Sequence, residues 1–537
     1  MRENDKSLLS TGISELDTIL GGGLTADRLY LIEGTPGTGK TTMALQFLLE
    51  GLKNGEPGLY VTLSETKPEL IAVAQSHGWS LEGLEIYELI DPSDSLEADA
   101  QYTMFEPSEI ELGKTIRGVL DKVSEIKPRR IALDSLSEMR LLAQSPLRYR
   151  RQILALKQFF VGRDCTVLLL DDKTSHDEDQ QLQSIAHGVI SLSHVLSDYG
   201  GERRRLRVIK YRGQRFEGGS HDFHLGRGGI KVFPRKSTLR QASPTSSRPL
   251  ASGNASLDAL LGDGLMPGTS TLLLGPAGVG KSSCATLYAV AAARRGERAA
   301  IFIFDESQEA LLERSRGLGM DLAEYLDSGL IVIHQLDPGE VVPGEFAHMV
   351  REAVRPDAAG IPASVVVIDS LNGYLNSMPN ERYLTIQMHE LLKHLGSCHV
   401  VTFLVVAQHG MLGQSMVTPV DTSYLADAVI LFRYFEAAGS IHQAISVVKK
   451  RTGGHERTIR EFRMNDGEIR IGPPLKNFHG ILGGTPTYTG VSEDLLRIRV
   501  DGIADLANSA SGAEEPRGAE EPRNAPETRS VQKSRRE

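Results

Sequence analysis

Short apolar runs of three to six residues punctuate this chain and alternate with longer amphipathic stretches. Leu29-Tyr30-Leu31-Ile32 precedes a glycine-rich loop, and residues 41–53 then read as a helix. Further apolar runs stand at 58–63, 131–133, 167–170 and 365–368. Runs this short, apolar at every position and separated by helical patterns, describe strands buried on both faces. The expected fold class is therefore α/β, with a mostly parallel, twisted sheet flanked by helices.

The pattern occurs twice. Gly34-Thr35-Pro36-Gly37-Thr38-Gly39-Lys40-Thr41 returns as Gly275-Pro276-Ala277-Gly278-Val279-Gly280-Lys281-Ser282, and Lys281 lies 241 residues after Lys40. The same offset carries Leu16-Asp17 onto Leu257-Asp258, Gly23 onto Gly264, Glu65 onto Glu306 and Gly78 onto Gly319. An ungapped match of this extent marks a duplicated domain. Later pairs, Asp134 with Asp369 and Arg212 with Arg451, drift by a few positions, as loop insertions require. The expected organisation is a first domain over 1–240, a second over 241–478 and a largely disordered tail over 479–537. A linker rich in Ser, Arg and Pro falls at 236–249. In the tail, Gly512-Ala513-Glu514-Glu515-Pro516-Arg517 is followed at once by an identical copy at 518–523.

Composition narrows the function. The chain has 537 residues, a net charge of −10 and three widely spaced cysteines. That spacing suits a reducing compartment and offers no paired metal ligands. Apolar runs stop far short of a membrane span, which takes about 20 residues. The first residues lead into no apolar signal core, so a cytoplasmic location without membrane attachment is expected. An acidic balance argues against life on a phosphate backbone.

The repeated glycine-rich segment carries the chemistry. Its spacing, glycine, four residues, then Gly-Lys-Ser/Thr, lets backbone N–H groups of Gly37, Thr38, Gly39, Gly278, Val279 and Gly280 converge on phosphate oxygens at a helix N-terminus. Lys40 and Lys281 would reach the outer phosphates of ATP, with Thr41 and Ser282 on Mg²⁺. Asp134 and Asp369, each closing an apolar strand, are candidates to complete the metal site. Each also precedes Ser-Leu and could instead cap a helix. Glu65, Asp305 and Glu306 follow the second strand of each copy, as a base orienting water would, or as solvated carboxylates would. Lys210-Tyr211-Arg212 and Lys449-Lys450-Arg451 are placed to send arginine into a neighbouring copy's phosphates, or to form a solvated face.

Taken together, the tandem P-loops, Gly78-Trp79, the paired Asp-Ser-Leu, Lys210 to Gly213 and Gly201-Glu202-Arg203-Arg204-Arg205 resemble the KaiC family of RecA-type tandem ATPases. The resemblance covers about residues 7–475. It implies a homohexameric double ring with ATP between subunits, a slow first-domain ATPase and a second-domain serine/threonine autokinase. It also implies a partner such as a small KaiB-like regulatory protein or another signalling protein. The first site would comprise Thr38, Gly39, Lys40, Thr41 and Thr42, with Ser76 near the base and Lys210, Tyr211 and Arg212 from the adjacent subunit. The second would comprise Gly278, Gly280, Lys281, Ser282 and Ser283, with Lys449 and Arg451 in trans. Ser423 matches the first of two phosphoacceptors. The departures are Ser64 and Asp305 where the family has glutamate, Tyr424 at the second acceptor, and Thr452 after Arg451. Two other functions share the fold: a nucleic-acid motor, and a scaffold that nucleotide merely holds together.

Overall fold

In a computed structural model, the described residues are 7–89, 107–143, 145–173, 179–195, 201–235, 248–376, 384–408, 424–437, 439–465, 467–482 and 487–489. Ser423, most of the linker and residues 491–537 lie outside them. The described residues all belong to one compact unit.

Two nine-stranded sheets organise it. The first is built, in chain order, from β1 (Leu29–Gly34), β2 (Gly58–Thr62), β3 (Glu85–Glu88), β4 (Arg130–Asp134), β5 (Thr166–Asp172), β6 (Gly188–Val195), β7 (Arg203–Tyr211), β8 (His221–Gly226) and β9 (Gly229–Phe233). The second uses β10 (Ser270–Gly275), β11 (Arg298–Ile303), β12 (Ile331–Gln335), β13 (Ala363–Asp369), β14 (Val401–Ala407), β15 (Ala428–Ala437), β16 (Ser440–Lys450), β17 (Arg460–Asn465) and β18 (Glu468–Pro474). The spatial order of the first is β9-β8-β7-β6-β1-β5-β4-β2-β3, and adding nine to every label gives the second. Duplication is thus expressed strand for strand. Six strands of each sheet run parallel, and the last three attach antiparallel. The first strand of each antiparallel extension, β7 and β16, ends in the Lys-x-Arg segment, Lys210 to Arg212 or Lys449 to Arg451.

The apolar runs do what their pattern predicts. On β1, Leu29 and Leu31 enter one core layer, while Tyr30 and Ile32 enter the layer on the other face. On β13, Val365 and Val367 face one layer and Val366 and Ile368 the other. Side chains alternate across a strand, so a strand covered by helices on both faces must be apolar throughout. Among the described residues, no helix is long and apolar enough to cross a membrane.

The two halves also touch. Arg235 forms a two-point ion pair with Glu390, at 3.1 and 2.5 Å. Asp222, paired with Arg205, accepts the Gly344 N–H at 2.9 Å where the helix Pro343–Ala353 begins.

Candidate functional site

Parallel sheets bring their functional residues to the carboxyl edge of the strands. There β1 ends in Gly34 and β10 in Gly275, and each runs into a loop and then a helix, Lys40–Lys53 or Lys281–Arg294. Gly39 and Gly280 cap these helices at φ 96° and 98°, a left-handed conformation that a residue with a Cβ resists. Each turn aims the first free N–H groups of its helix outward, the arrangement that binds anions.

In the first loop, the Lys40 ammonium is buried. It donates to the carbonyls of Gly34 at 2.9 Å and Thr35 at 3.1 Å, and pairs with Asp172 at 2.7 Å. Asp172 ends β5 and also meets the Ser137 hydroxyl at 3.3 Å. In the second loop, Lys281 donates to the Pro276 carbonyl at 2.6 Å. The strand position that faces Gly275 is Ala407, where Gly34 faces Asp172. No carboxylate stands at that position to hold the second ammonium, and burial lowers the Lys281 pKa to about 8, with Asp369 opposing the shift.

Thr41 donates to Asp134 at 2.8 Å, and Tyr60 donates to the same oxygen at 2.5 Å. Ser282 bonds Asp369 in the same manner. Burial raises the pKa of both aspartates, with the hydroxyl hydrogen bonds acting in the opposite direction. Four of the residues expected to serve a metal are thereby brought together as two hydroxyl–carboxylate pairs. Such an oxygen-only pair suits a hard cation whose remaining ligands are phosphate and water. Among the described residues, no cluster of three or more His, Cys, Asp or Glu side chains forms a metal cage.

Glu65 follows β2 and precedes the helix Lys67–Ser76, and Thr62 fixes it by bonding both its N–H and its carbonyl. Its Oε2 is buried without a hydrogen-bond partner. Burial, with the neighbouring Asp134 charge, raises its pKa. Glu306, its counterpart, is held by Arg314 in a two-point ion pair at 3.1 and 2.7 Å. Arg314 also donates to Ser283 at 2.9 Å. Asp305 accepts from Ser370 at 2.5 Å.

The basic strand ends lie elsewhere. Tyr211 is level with Gly188, and Gly188 with Tyr30, so Lys210 and Arg212 sit at the amino edge of β1. Gly34 is four residues further along β1, roughly 13 Å away at strand rise. Lys450 is level with Ala428, and Ala428 with Thr271, which puts Lys449 and Arg451 in the same situation. Neither pair reaches its own chain's P-loop. Lys210 and Arg212 donate to the carbonyls of Gln183 and Ser184, Lys449 to Ala426 at 2.7 Å, and Arg451 to Asp427 at 3.3 Å. Tyr211 is buried, and its hydroxyl donates to the Gly23 carbonyl at 2.9 Å, so within its own chain it serves packing. Ser76 caps nothing at the loop and bonds Val73 at 2.7 Å. Its neighbour His77 instead approaches Thr42, at 3.3 Å, and Gly226, at 2.8 Å.

Sequence reasoning missed Asp172, His77 and Arg314. Aligning the two copies signals the first and last: Asp172 stands against Ala407 and Arg314 against Val73, unlike pairs at the edge of a repeated site.

Two parallel-core sheets with a glycine-turned loop, a buried lysine and a hydroxyl–carboxylate pair at each carboxyl edge define a tandem P-loop ATPase of RecA-like fold. A family model for the KaiC ATPase matches twice, over residues 9–237 and 250–476. The chain belongs to the KaiC family. It is similar to the circadian clock protein KaiC3 of Synechocystis, at 28% identity over 90% of this chain and 95% of the relative. The circadian clock oscillator protein KaiC of Picosynechococcus is 27% identical, over 91% and 95% of the two chains. That of Thermostichus vulcanus is 28% identical, over 94% and 95%.

Proposed function

We propose that the domains at 1–240 and 241–478 each bind Mg·ATP, that the first hydrolyses it, and that the second transfers phosphate to the Ser423 hydroxyl. The observation that carries hydrolysis is Glu65, a half-buried carboxylate with one oxygen unengaged, beside the Thr41–Asp134 pair. Its raised pKa suits it to take a proton from water as the water oxygen attacks the γ-phosphorus and ADP departs. The loop N–H groups and Lys40 hold the phosphates in line. A divalent cation at Thr41 and Asp134, or at Ser282 and Asp369, supplies neutralisation of phosphate charge. In the second domain, Asp305 would accept the serine proton as the Ser423 oxygen bonds to the γ-phosphorus and the bond from that phosphorus to the leaving ADP breaks.

The far-edge placement of Lys210, Arg212, Lys449 and Arg451 supports their acting on a neighbouring copy's nucleotide, in a ring of six such as the family resemblance implies. Phosphate placed at such a seam adds about two negative charges and alters partner binding, here to a small regulatory protein in the cytoplasm. Relatives named for circadian clocks support a timing or signalling role.

Phosphate release by purified protein with Mg·ATP tests this. Glu65→Gln should lower the rate at least about 100-fold, as loss of a general base does. An unchanged rate excludes Glu65. Mass spectrometry of the same samples should find phosphate on Ser423, and its absence excludes the transfer step.

A further inference from the structure

The two candidate bases begin alike and end differently. Glu65 and Glu306 both follow the second strand of their sheet, and each is followed by a ten-residue helix, Lys67–Ser76 or Gln308–Gly317. Thr66 and Ser307 precede those helices in the same register, and Ser307 accepts the Ala310 N–H at 3.2 Å. Two turns into each helix, at positions 241 apart, stand Val73 and Arg314. A helical residue at that place faces back toward the strand end, so its chemistry decides the fate of the glutamate.

Valine offers no donor, and Val73 packs with the apolar core. Arginine offers a planar fork that matches a carboxylate at two points. In the second domain that fork is fully used: Nε and Nη2 hold both oxygens of Glu306, and Nη1 holds Ser283, the buried residue that follows Ser282 in the P-loop helix. Both partners of the ion pair are less than one third exposed, so water screens it only in part. A carboxylate so engaged has one lone pair on each oxygen committed and its charge neutralised, and through Arg314 it is anchored to Ser283 of the P-loop helix.

We propose that Arg314 is a positioning residue that withholds Glu306 from water activation, so that the second P-loop retains its ATP while the first hydrolyses. This rests on the nucleotide reading above. At the shared glutamate, the second domain differs from the first by an added lock, a single side chain on the following helix. Water attack at the second site then lacks its base, and Asp305 remains as the carboxylate available to a serine hydroxyl.

The test uses the full chain with the first loop silenced by Lys40→Ala, measuring ATP uptake by calorimetry and phosphate release together. Adding Arg314→Val should raise kcat for release roughly tenfold or more, the scale on which a general base acts, with KM little changed. Adding Glu306→Gln to that double variant should return the rate to the Lys40→Ala level, the coupling expected of a lock and the base it holds. An unchanged rate with ATP uptake intact overturns the proposal, as does a rise that survives Glu306→Gln. If Arg314→Val abolishes ATP uptake, Arg314→Gln, which keeps a polar contact to Ser283 but cannot form the ion pair, is judged by the same two criteria. Failure of the Lys40→Ala parent itself to bind ATP would overturn the nucleotide reading, and this inference with it.

Discussion

The two P-loops share a backbone and part company in their side chains. In the first, Lys40 is gripped by Asp172, while Glu65 keeps one oxygen free. In the second, Lys281 faces Ala407, while Glu306 is tied to Arg314. The ion pair has moved from the P-loop lysine to the glutamate that follows the second strand. The first loop must therefore break a lysine–aspartate contact to receive phosphate, yet holds a carboxylate able to act on water. The second presents an ammonium that, among the described residues, has no ion-pair partner, and a neutralised carboxylate. Duplicated folds can divide labour by relocating one salt bridge, leaving strand order and loop geometry untouched.

Three experiments would sharpen or break this contrast. Lys40→Ala and Lys281→Ala should each weaken ATP binding at the altered loop by about 100-fold or more, since a buried ammonium on phosphate makes charge-assisted bonds. Two resolvable binding events in calorimetry should fall to one in either variant. If both events survive both substitutions, the loops are not nucleotide sites. A smaller effect is expected from Asp172→Ala, which removes from Lys40 the kind of ion pair that Lys281 lacks among the described residues. Affinity at the first loop should rise about 5-fold, and the equivalent Ala407→Asp should lower affinity at the second by a similar factor. Smallest is the response to pH. Because the Lys281 pKa lies near 8, the amine in the empty loop is mostly neutral at about pH 9, and phosphate favours its charged form. ATP binding to the second loop should then take up close to one proton at about pH 9, and weaken by about 2-fold from about pH 7 to pH 8. Calorimetry at about pH 9 in buffers of different ionisation enthalpy reads the proton directly, and in Lys281→Ala it should vanish.

Much of the architecture was legible because it is local. A strand buried on both faces must be apolar throughout, and a P-loop needs its glycines within eight positions, so both are written in short contiguous segments. Asp134 and Asp369 were found because they end such strands, and they meet Thr41 and Ser282 as spacing suggests. Of the antiparallel strands, only the Lys-x-Arg ends of β7 and β16 read as strand, and β8, β9, β17 and β18 escaped notice, since half-exposed strands carry a weaker pattern. Asp172, His77 and Arg314 escaped for another reason: each acquires its role only when sheet order or helix packing sets it beside a loop over 30 residues away in sequence. Tyr211, assigned to nucleotide by resemblance, uses its hydroxyl on Gly23, a contact between residues 188 positions apart.

The placement of Lys210 and Arg212 on the rim opposite Gly34 carries a further consequence. When donor and acceptor occupy opposite rims of one subunit, contact between copies is head-to-tail. Such contacts permit two outcomes, a closed circle or an endless helix, chosen by the rotation between neighbours. Here the motif recurs in the second half of the chain, with Lys449 and Arg451 opposite Gly275. In the proposed ring, each neighbour would satisfy both seams with one rotation, so a change of angle at one seam would be felt at the other.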